Sequence, residues 1–334
     1  MVTLGAKETS VVEKTTRVLG LAAAILCLLA SATLGVQSGL TVNGQCVGDA
    51  NGDAQVSIDE LVMAVENALA GCPQLPVNLQ FRGMVGDRAF ACGQLYHGVG
   101  TSNSDIVPTD FRFYLHDIRL VNMAGEDVPL MLDQDPQDVS EKPAWQLDDL
   151  ALLDFEDQSG PCGAGTAATN SVVHGTVPPG EYRGVRFKLG VPFEMDHQNQ
   201  ATADCPLCWS GLFWSWQAGY KFLRFDTNFL RADKTLGSLS VHVGSTGCEY
   251  GTPPVIDHCA RPNVAEVFLD GFDPLHDVII ADMAAVLANS DLDTSQGCQS
   301  DPDNTDCGPI FKNLGIDFNT GLPTPATQTF FRVQ

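Results

Sequence analysis

Ten cysteines downstream of an export leader constrain this chain more than any other feature. Lys7, Lys14 and Arg17 precede an apolar run from Val18 to Leu29, and the small residues Ala30, Ser31 and Ala32 follow. That order is the signature of a secretory signal peptide, cleaved between about residues 32 and 38. Residues 1–38 are read as this signal, since the apolar run is too short to cross a bilayer comfortably. Cys27 lies inside the run and leaves with it. Cys46, Cys72, Cys92, Cys162, Cys205, Cys208, Cys248, Cys259, Cys298 and Cys307 remain. An even number in an exported chain, whether periplasmic, cell-surface or secreted, reads as a disulfide framework. Spacing favours Cys46 with Cys72, Cys248 with Cys259 and Cys298 with Cys307, which leaves Cys92 to pair with Cys162 over a longer loop. Cys205-Pro-Leu-Cys208 stays open between an extra disulfide, a metal clamp and a redox dithiol. A thioredoxin-like dithiol needs a βαβ context, and none surrounds this pair.

The formal charge is −23, and the leader carries three basic and two acidic side chains, so its removal leaves the rest near −24. A surface that acidic argues against nucleic acid or anionic membrane as a partner. It suits cation binding or a basic protein partner. Apolar content is sufficient for a core, so the chain is not disordered.

The sequence "CPQLPV" separates two patterns. Residues 39–74 hold "GDANGDAQVSIDELVMAVENALAGC". Here Asp49, Asn51, Asp53, the carbonyl of Gln55, Ser57 and Glu60 fall at positions 1, 3, 5, 7, 9 and 12 of a calcium loop. Ala54 stands where glycine is usual, and no helix precedes the loop. The segment therefore resembles a single dockerin-type half EF-hand. Ser57 and Glu60 also spell a capping box at the start of an amphipathic helix, and the two readings are compatible. Calcium is favoured because three crowded acidic residues need a cation to offset their repulsion.

Residues 77–330 read mainly as strands. "VNLQFRGMV", "DFRFYLHDIRLV", "GEYRGVRFKLGV", "WSWQAGYKFLRF", "GSLSVHVGS" and "NVAEVFLDGF" show period-two patterning or β-rich composition. "DVIIADMAAVLANS" is the one good helix candidate. The expected fold is mainly β: a loop-rich, disulfide-linked antiparallel β-sandwich or barrel, preceded by the small half EF-hand helix unit.

Three of the four tryptophans fall within eight residues, at Trp209, Trp214 and Trp216. If "WSWQAGYKFLRF" is one strand, Trp214 and Trp216 share a face. Paired aromatics of that kind are more often core than cofactor.

Several blocks occur in fixed order: "GDRAFACGQLYHGVGTSNSDIVPTDFRFYLHDIRLV", "WQLDDLALLDFED", "GEYRGVRFKLGVPFEMDHQNQATA", "GLFWSWQAGYKFLRFD", "VHVGSTGC" and "GCQSDPDNTDCGPIFKNLG". Over residues 77–318 the chain resembles the MbnP-like family of exported copper-binding proteins, the four-cysteine members of the metallo-mystery pair systems. The resemblance implies copper, and a di-haem, cytochrome-c-peroxidase-like partner that oxidises a tryptophan to kynurenine. Trp216, Trp214 and Trp145 are the candidates for that change. Indole is a poor ligand because its nitrogen lone pair belongs to the ring, whereas kynurenine offers an aniline nitrogen and a carbonyl.

Copper in an exported protein favours imidazole and, as Cu(I), soft sulfur. His197 and His242 lie in blocks that carry the resemblance. His242 alternates with Val241 and Val243, so it points off the apolar face. His116 and Met195 are weaker candidates. Any one histidine is more often structural than a ligand, and methionine is commonly packing. Cys205 and Cys208 depart from the family pattern.

No hydrolase constellation or P-loop is present, so the leading reading is a non-enzymatic copper-binding protein. Two rivals remain: a calcium-dependent attachment module with a passive β-sandwich, and a thiol-redox protein using Cys205 and Cys208.

Overall fold

A computed structural model describes residues 48, 55–71, 73–137, 143–231, 233–251 and 255–334. The leader, Cys46, Cys72 and the loop residues Asp49, Asn51 and Asp53 lie outside the described residues. The chain divides into two compact units, one ending at Gly71 and one spanning Cys72–Gln334. In the first, helix α1 (Ile58–Ala70) starts at Ser57. The Ser57 hydroxyl accepts from the Glu60 N–H at 3.3 Å, and the Glu60 carboxylate accepts from the Ser57 N–H at 2.7 Å. This reciprocal pair satisfies two N–H groups that a helix start would leave bare. Ser57 and Glu60 thus close the helix start, and Gln55 sits just before it.

The second unit is built from two larger sheets and two hairpins. One sheet runs in the order β19 (Phe331–Val333), β18 (Val278–Asp282), β1 (Leu75–Val85), β9 (Val172–Val177) and β6 (Met131–Leu132), with β2 (Arg88–Ala89) folded onto β1. The larger sheet runs β14 (Leu236–Val243), β13 (Leu223–Leu230), β4 (Ser104–Asn122), β10 (Tyr182–Leu189) and β17 (Ala265–Asp270). The long strand β4 also pairs with β3 (Tyr96–Val99), β5 (Asp127–Pro129) and β8 (Leu150–Asp154), and β7 (Gln146–Leu147) pairs with β8. The hairpins are β11 (Phe213–Ser215) with β12 (Gly219–Tyr220), and β15 (Thr246–Tyr250) with β16 (Ile256–Arg261). The fold is the expected loop-rich sandwich and not a closed barrel. Among the described strands, one pair departs from antiparallel order: β1 and β18 run parallel, from Gln80 opposite Val278 to Met84 opposite Asp282.

The alternation in the sequence explains the layers. Val77, Leu79 and Phe81 of β1 are buried while Asn78, Gln80 and Arg82 are exposed. Leu239, Val241 and Val243 of β14 and Leu223, Phe225 and Phe229 of β13 join them in one core. Its centre is aromatic, with Phe111 edge-on to Phe225 at 5.7 Å and Phe113 edge-on to Phe331 at 5.6 Å. Such edge contacts add about 0.5–1.5 kcal/mol each beyond area burial.

Three local expectations change. "DVIIADMAAVLANS" is not one helix. Its β-branched half forms β18 between β1 and β19, and only Met283–Leu287 is helical. This is helix α3, preceded in the chain by the short α2 (Phe193–Asp196). The Asp282 side chain accepts from the Ala284 N–H and sets the switch point. "WSWQAGYKFLRF" is likewise broken. Only Trp214 lies in β11, and Trp216 sits in the turn before Gly219, whose φ is +74°. A third helix of this unit, α4 (Cys307–Leu314), was not anticipated; it ends at Gly315 with φ +81°. A left-handed residue at that place is a common helix stop that glycine adopts without steric cost.

Among the described residues, four disulfides join Cys92 to Cys162, Cys205 to Cys208, Cys248 to Cys259 and Cys298 to Cys307. The last braces the site described next. The Cys298 carbonyl accepts from the His242 N–H and the Cys298 N–H donates to the Ser240 carbonyl, both at 2.8 Å. Cys298 thereby extends the larger sheet past β14.

Candidate metal centre

Strands β4, β13 and β14 align two rows of polar residues on the face opposite the core. Arg112 lies opposite Arg224, and Arg224 opposite His242; Asp110 lies opposite Asp226. The side chains form a continuous chain of ion pairs. The His242 Nε2 meets Asp226 Oδ1 at 2.8 Å, and Arg224 Nε meets Asp226 Oδ2 at 2.7 Å. Arg224 also reaches Asp110 at 3.2 Å, and Arg112 grips the same carboxylate through its Nε at 2.8 Å. Arg112, Asp110 and His242 are all buried. Burial pushes the Asp226 carboxyl up, but the hydrogen bond from His242 and the charge of Arg224 hold it well below the usual carboxylate range.

An ionised Asp226 can only accept, so the His242 Nε2 carries the proton it offers. In the neutral ring the lone pair then sits on Nδ1. That atom is buried and has no hydrogen-bond partner. A buried polar atom left unsatisfied costs about 1–3 kcal/mol and asks for a ligand or water. The Trp214 ring lies 6.4 Å from the His242 ring. Gly244 is what lets it approach: a Cβ there would come within 2.5 Å of the indole. A histidine with a carboxylate behind it and a free nitrogen in front is the arrangement that orients metal-binding imidazoles.

The β11–β12 hairpin links this histidine to a second one. His197 follows α2, and its Nδ1 donates to the Trp216 carbonyl at 2.9 Å. That bond places the lone pair on Nε2, which lies 3.4 Å from the Cys259 sulfur and 3.6 Å from Asp196 Oδ2. Asp196 is buried and accepts from the Tyr220 N–H at 2.7 Å and the Ser245 hydroxyl at 2.5 Å. Burial pushes this carboxyl up to about 6 against those hydrogen bonds. Gly219 is needed at the turn beside it, because a Cβ would stand 2.3 Å from the Asp196 carboxylate.

The other sequence candidates fall elsewhere. Met195 and Trp145 pack on a smaller apolar cluster with Leu207 and Phe222. Trp145 lies 6.1 Å from Trp209. His116 is buried on β4 with Nδ1 against the Gly190 carbonyl at 3.0 Å, and burial lowers its pKa. Trp216 packs edge-on against Tyr250 at 5.1 Å, so it and Trp214 do not share a strand face. Asp49, Asn51 and Asp53 lie outside the described residues. Asp226, Arg224, Asp110, Arg112 and Asp196 were not anticipated as supporting residues. For Asp110, Arg112, Arg224 and Asp226 the signal was present in "DFRF" and "LRFD": charges two residues apart on the face of strands opposite the core.

A family model, MbnP, matches residues 74–300. The chain belongs to the MbnP family. The family match thus covers most of the β unit, including His197, His242 and the Cys248–Cys259 hairpin. A solved structure, MbnP from Methylosinus trichosporium, is similar at 27% identity and a TM-score of 0.67, covering 78% of this chain and 98% of that one. No curated protein matches. Within this MbnP-family unit, a buried imidazole with an orphaned nitrogen and a second imidazole anchored through its Nδ1 fit copper, which accepts imidazole readily.

Proposed function

We propose that this chain is an exported, non-enzymatic copper-binding protein in which His242 is the principal ligand. The buried, unpartnered His242 Nδ1 carries this reading. Asp226 holds the ring from behind, and the Trp214 ring lies 6.4 Å from it. His197, oriented by the Trp216 carbonyl across the same hairpin, is the second candidate imidazole. Oxidation of Trp214 to kynurenine would place an aniline nitrogen and a carbonyl near His242, donors that indole lacks. The agent of that oxidation would be a di-haem, cytochrome-c-peroxidase-like partner, as the resemblance to the family implies. The N-terminal loop, with Asp49, Asp53 and Glu60, is a separate candidate for calcium. Glu60 is engaged by its own helix cap, so calcium has to compete with that bond.

The test is production of the exported protein with and without the di-haem partner, followed by intact-mass analysis and copper titration. Co-production is expected to give the mass shift of kynurenine at Trp214 and tighter copper binding. His242→Ala is expected to abolish tight binding without loss of the near-ultraviolet circular dichroism of the fold. Unchanged copper affinity in His242→Ala would sink the assignment. An unmodified Trp214 in co-produced protein would remove kynurenine from it and leave the histidines.

A further inference from the structure

We propose that Cys248 and Cys259, once their disulfide is opened, form with His197 a second metal site, for a thiophilic ion such as Zn(II), so that thiol–disulfide exchange controls metal binding at the β15–β16 hairpin.

The three donors are already gathered. The two sulfurs and a ring nitrogen of His197 all lie within 4.8 Å of one another. A tetrahedral ion with metal–nitrogen bonds of about 2.0 Å and metal–sulfur bonds of about 2.3 Å sets nitrogen–sulfur edges of about 3.5 Å. The His197 Nε2 to Cys259 sulfur separation is 3.4 Å. The two sulfurs then have to part to their own tetrahedral separation. The same nitrogen carries the lone pair, because Nδ1 is committed to the Trp216 carbonyl. A hydrogen bond from the rear nitrogen to a carbonyl is how protein frameworks fix a ligating imidazole.

The backbone keeps the thiols together after reduction. Cys248 lies directly opposite Cys259, and the ladder continues on both sides, with Thr246 opposite Arg261 and Glu249 opposite His258. Opening the bond therefore leaves two thiols facing each other beside His197. Both cysteines are half-buried, and exposed residues such as Glu249 and His258 flank them, so a small thiol can reach the sulfurs. One other disulfide has a third donor of this kind nearby among the described residues: Cys92–Cys162 beside Glu156. There Cys162 and Glu156 are fully enclosed and only Cys92 is half-buried, so two of the three donors are closed to an incoming metal.

The electron and proton balance is simple. A dithiol reductant supplies two electrons and two protons to the sulfur–sulfur bond and becomes a disulfide itself. The metal ion then displaces the two thiol protons and takes two thiolates and one imidazole. Its fourth position is left to water or an incoming ligand, as in open zinc sites.

The experiment uses the full exported chain and Co(II) as the probe for Zn(II). Protein treated with dithiothreitol under argon, and freed of it, is titrated with Co(II). Wild type is expected to develop thiolate-to-cobalt charge-transfer absorption with one Co(II) per chain, reversed by Zn(II). Untreated, oxidised protein is expected to show none. Cys248→Ser with Cys259→Ser should abolish the signal, and His197→Gln should weaken binding by at least about tenfold. Cys205→Ser with Cys208→Ser should leave it unchanged. Survival of the signal in the Cys248/Cys259 variant, or unaltered affinity in His197→Gln, overturns the proposal. So does alkylation mapping in which this disulfide stays closed under reduction that preserves the fold. If the double serine variant does not fold, His197→Gln decides. Copper binding by oxidised protein is measured separately with His242→Ala, and the Cys248/Cys259 variant tells the two sites apart, since His197 is a candidate ligand in both.

Discussion

Asp226 does two things that can be separated by substitution. It fixes which His242 nitrogen faces outward, and it balances Arg224. Asp226→Asn keeps the size and one acceptor oxygen but removes the charge. Loss of a carboxylate behind a ligating imidazole typically costs about 10–100-fold in metal affinity, and that range is expected for copper, read by competition titration. A drop confined to stability, with affinity intact, would assign Asp226 to the ion-pair chain alone. Asp154 offers a second residue-level test. Burial pushes its carboxyl up to about 8, against the pull of Arg112 and the Glu156 N–H. An acid with a raised native pKa holds its proton more tightly when folded. Its contribution to stability is therefore full below the unfolded value near 3.8 and is lost as pH rises through about 8. Asp154→Asn keeps an acceptor for the Glu156 N–H and cannot titrate. Between about pH 5 and pH 8, wild type is expected to lose at least about 1.4 kcal/mol relative to this variant, one pKa unit's worth. Parallel urea-unfolding profiles for the two proteins across that range would show that Asp154 is not the group responsible.

The element that presents His242 is β14, and its outer neighbour is not a full strand but the Cys298 segment. Two backbone bonds join them, and the Ser300 hydroxyl adds a third by donating to the His242 carbonyl at 3.1 Å. The Cys298–Cys307 bridge ties that segment to the start of α4, nine residues on. Replacing both cysteines by alanine is expected to cost about 2–4 kcal/mol of stability, the usual worth of a disulfide. It should also weaken copper binding, since His242 would then sit on a looser edge. Urea unfolding and copper titration on one preparation check both; a stability loss with unchanged copper affinity would uncouple brace from site. This coupling also marks where sequence reasoning stopped. Strands such as β1, β4 and β14 were legible because one face is core and the other polar, which writes a period of two into the chain. His242 was placed correctly off the apolar face for that reason. The tryptophan hairpin was not legible, because its break depends on Gly219 clearing the Asp196 carboxylate, a contact between residues 23 positions apart. The ion-pair chain was missed because cross-strand register, unlike alternation, is fixed by pairing partners that lie far apart in the sequence.

At the scale of the whole chain, every candidate copper donor and every described disulfide belongs to the Cys72–Gln334 unit. The family match likewise begins at residue 74. Helix α1 closes its own start with Ser57 and Glu60. These observations lead to a truncation test. A chain beginning at Pro73 is expected to fold and to bind copper through His242 as the longer protein does. Residues 39–72 do contribute charge: five acidic side chains and no basic one. A cation is drawn to that field only over distances comparable to the Debye length, which is about 8 Å at physiological ionic strength and about 30 Å at 0.01 M salt. The truncated and longer proteins should therefore agree in copper affinity within a factor of about two at physiological salt, the spread expected for independent sites. They should diverge at low salt, with the longer and more acidic protein binding more tightly. A large loss of affinity on truncation at physiological salt would mean that the N-terminal unit supplies a ligand or shapes the site. In that case the copper centre could not be assigned to the β unit alone.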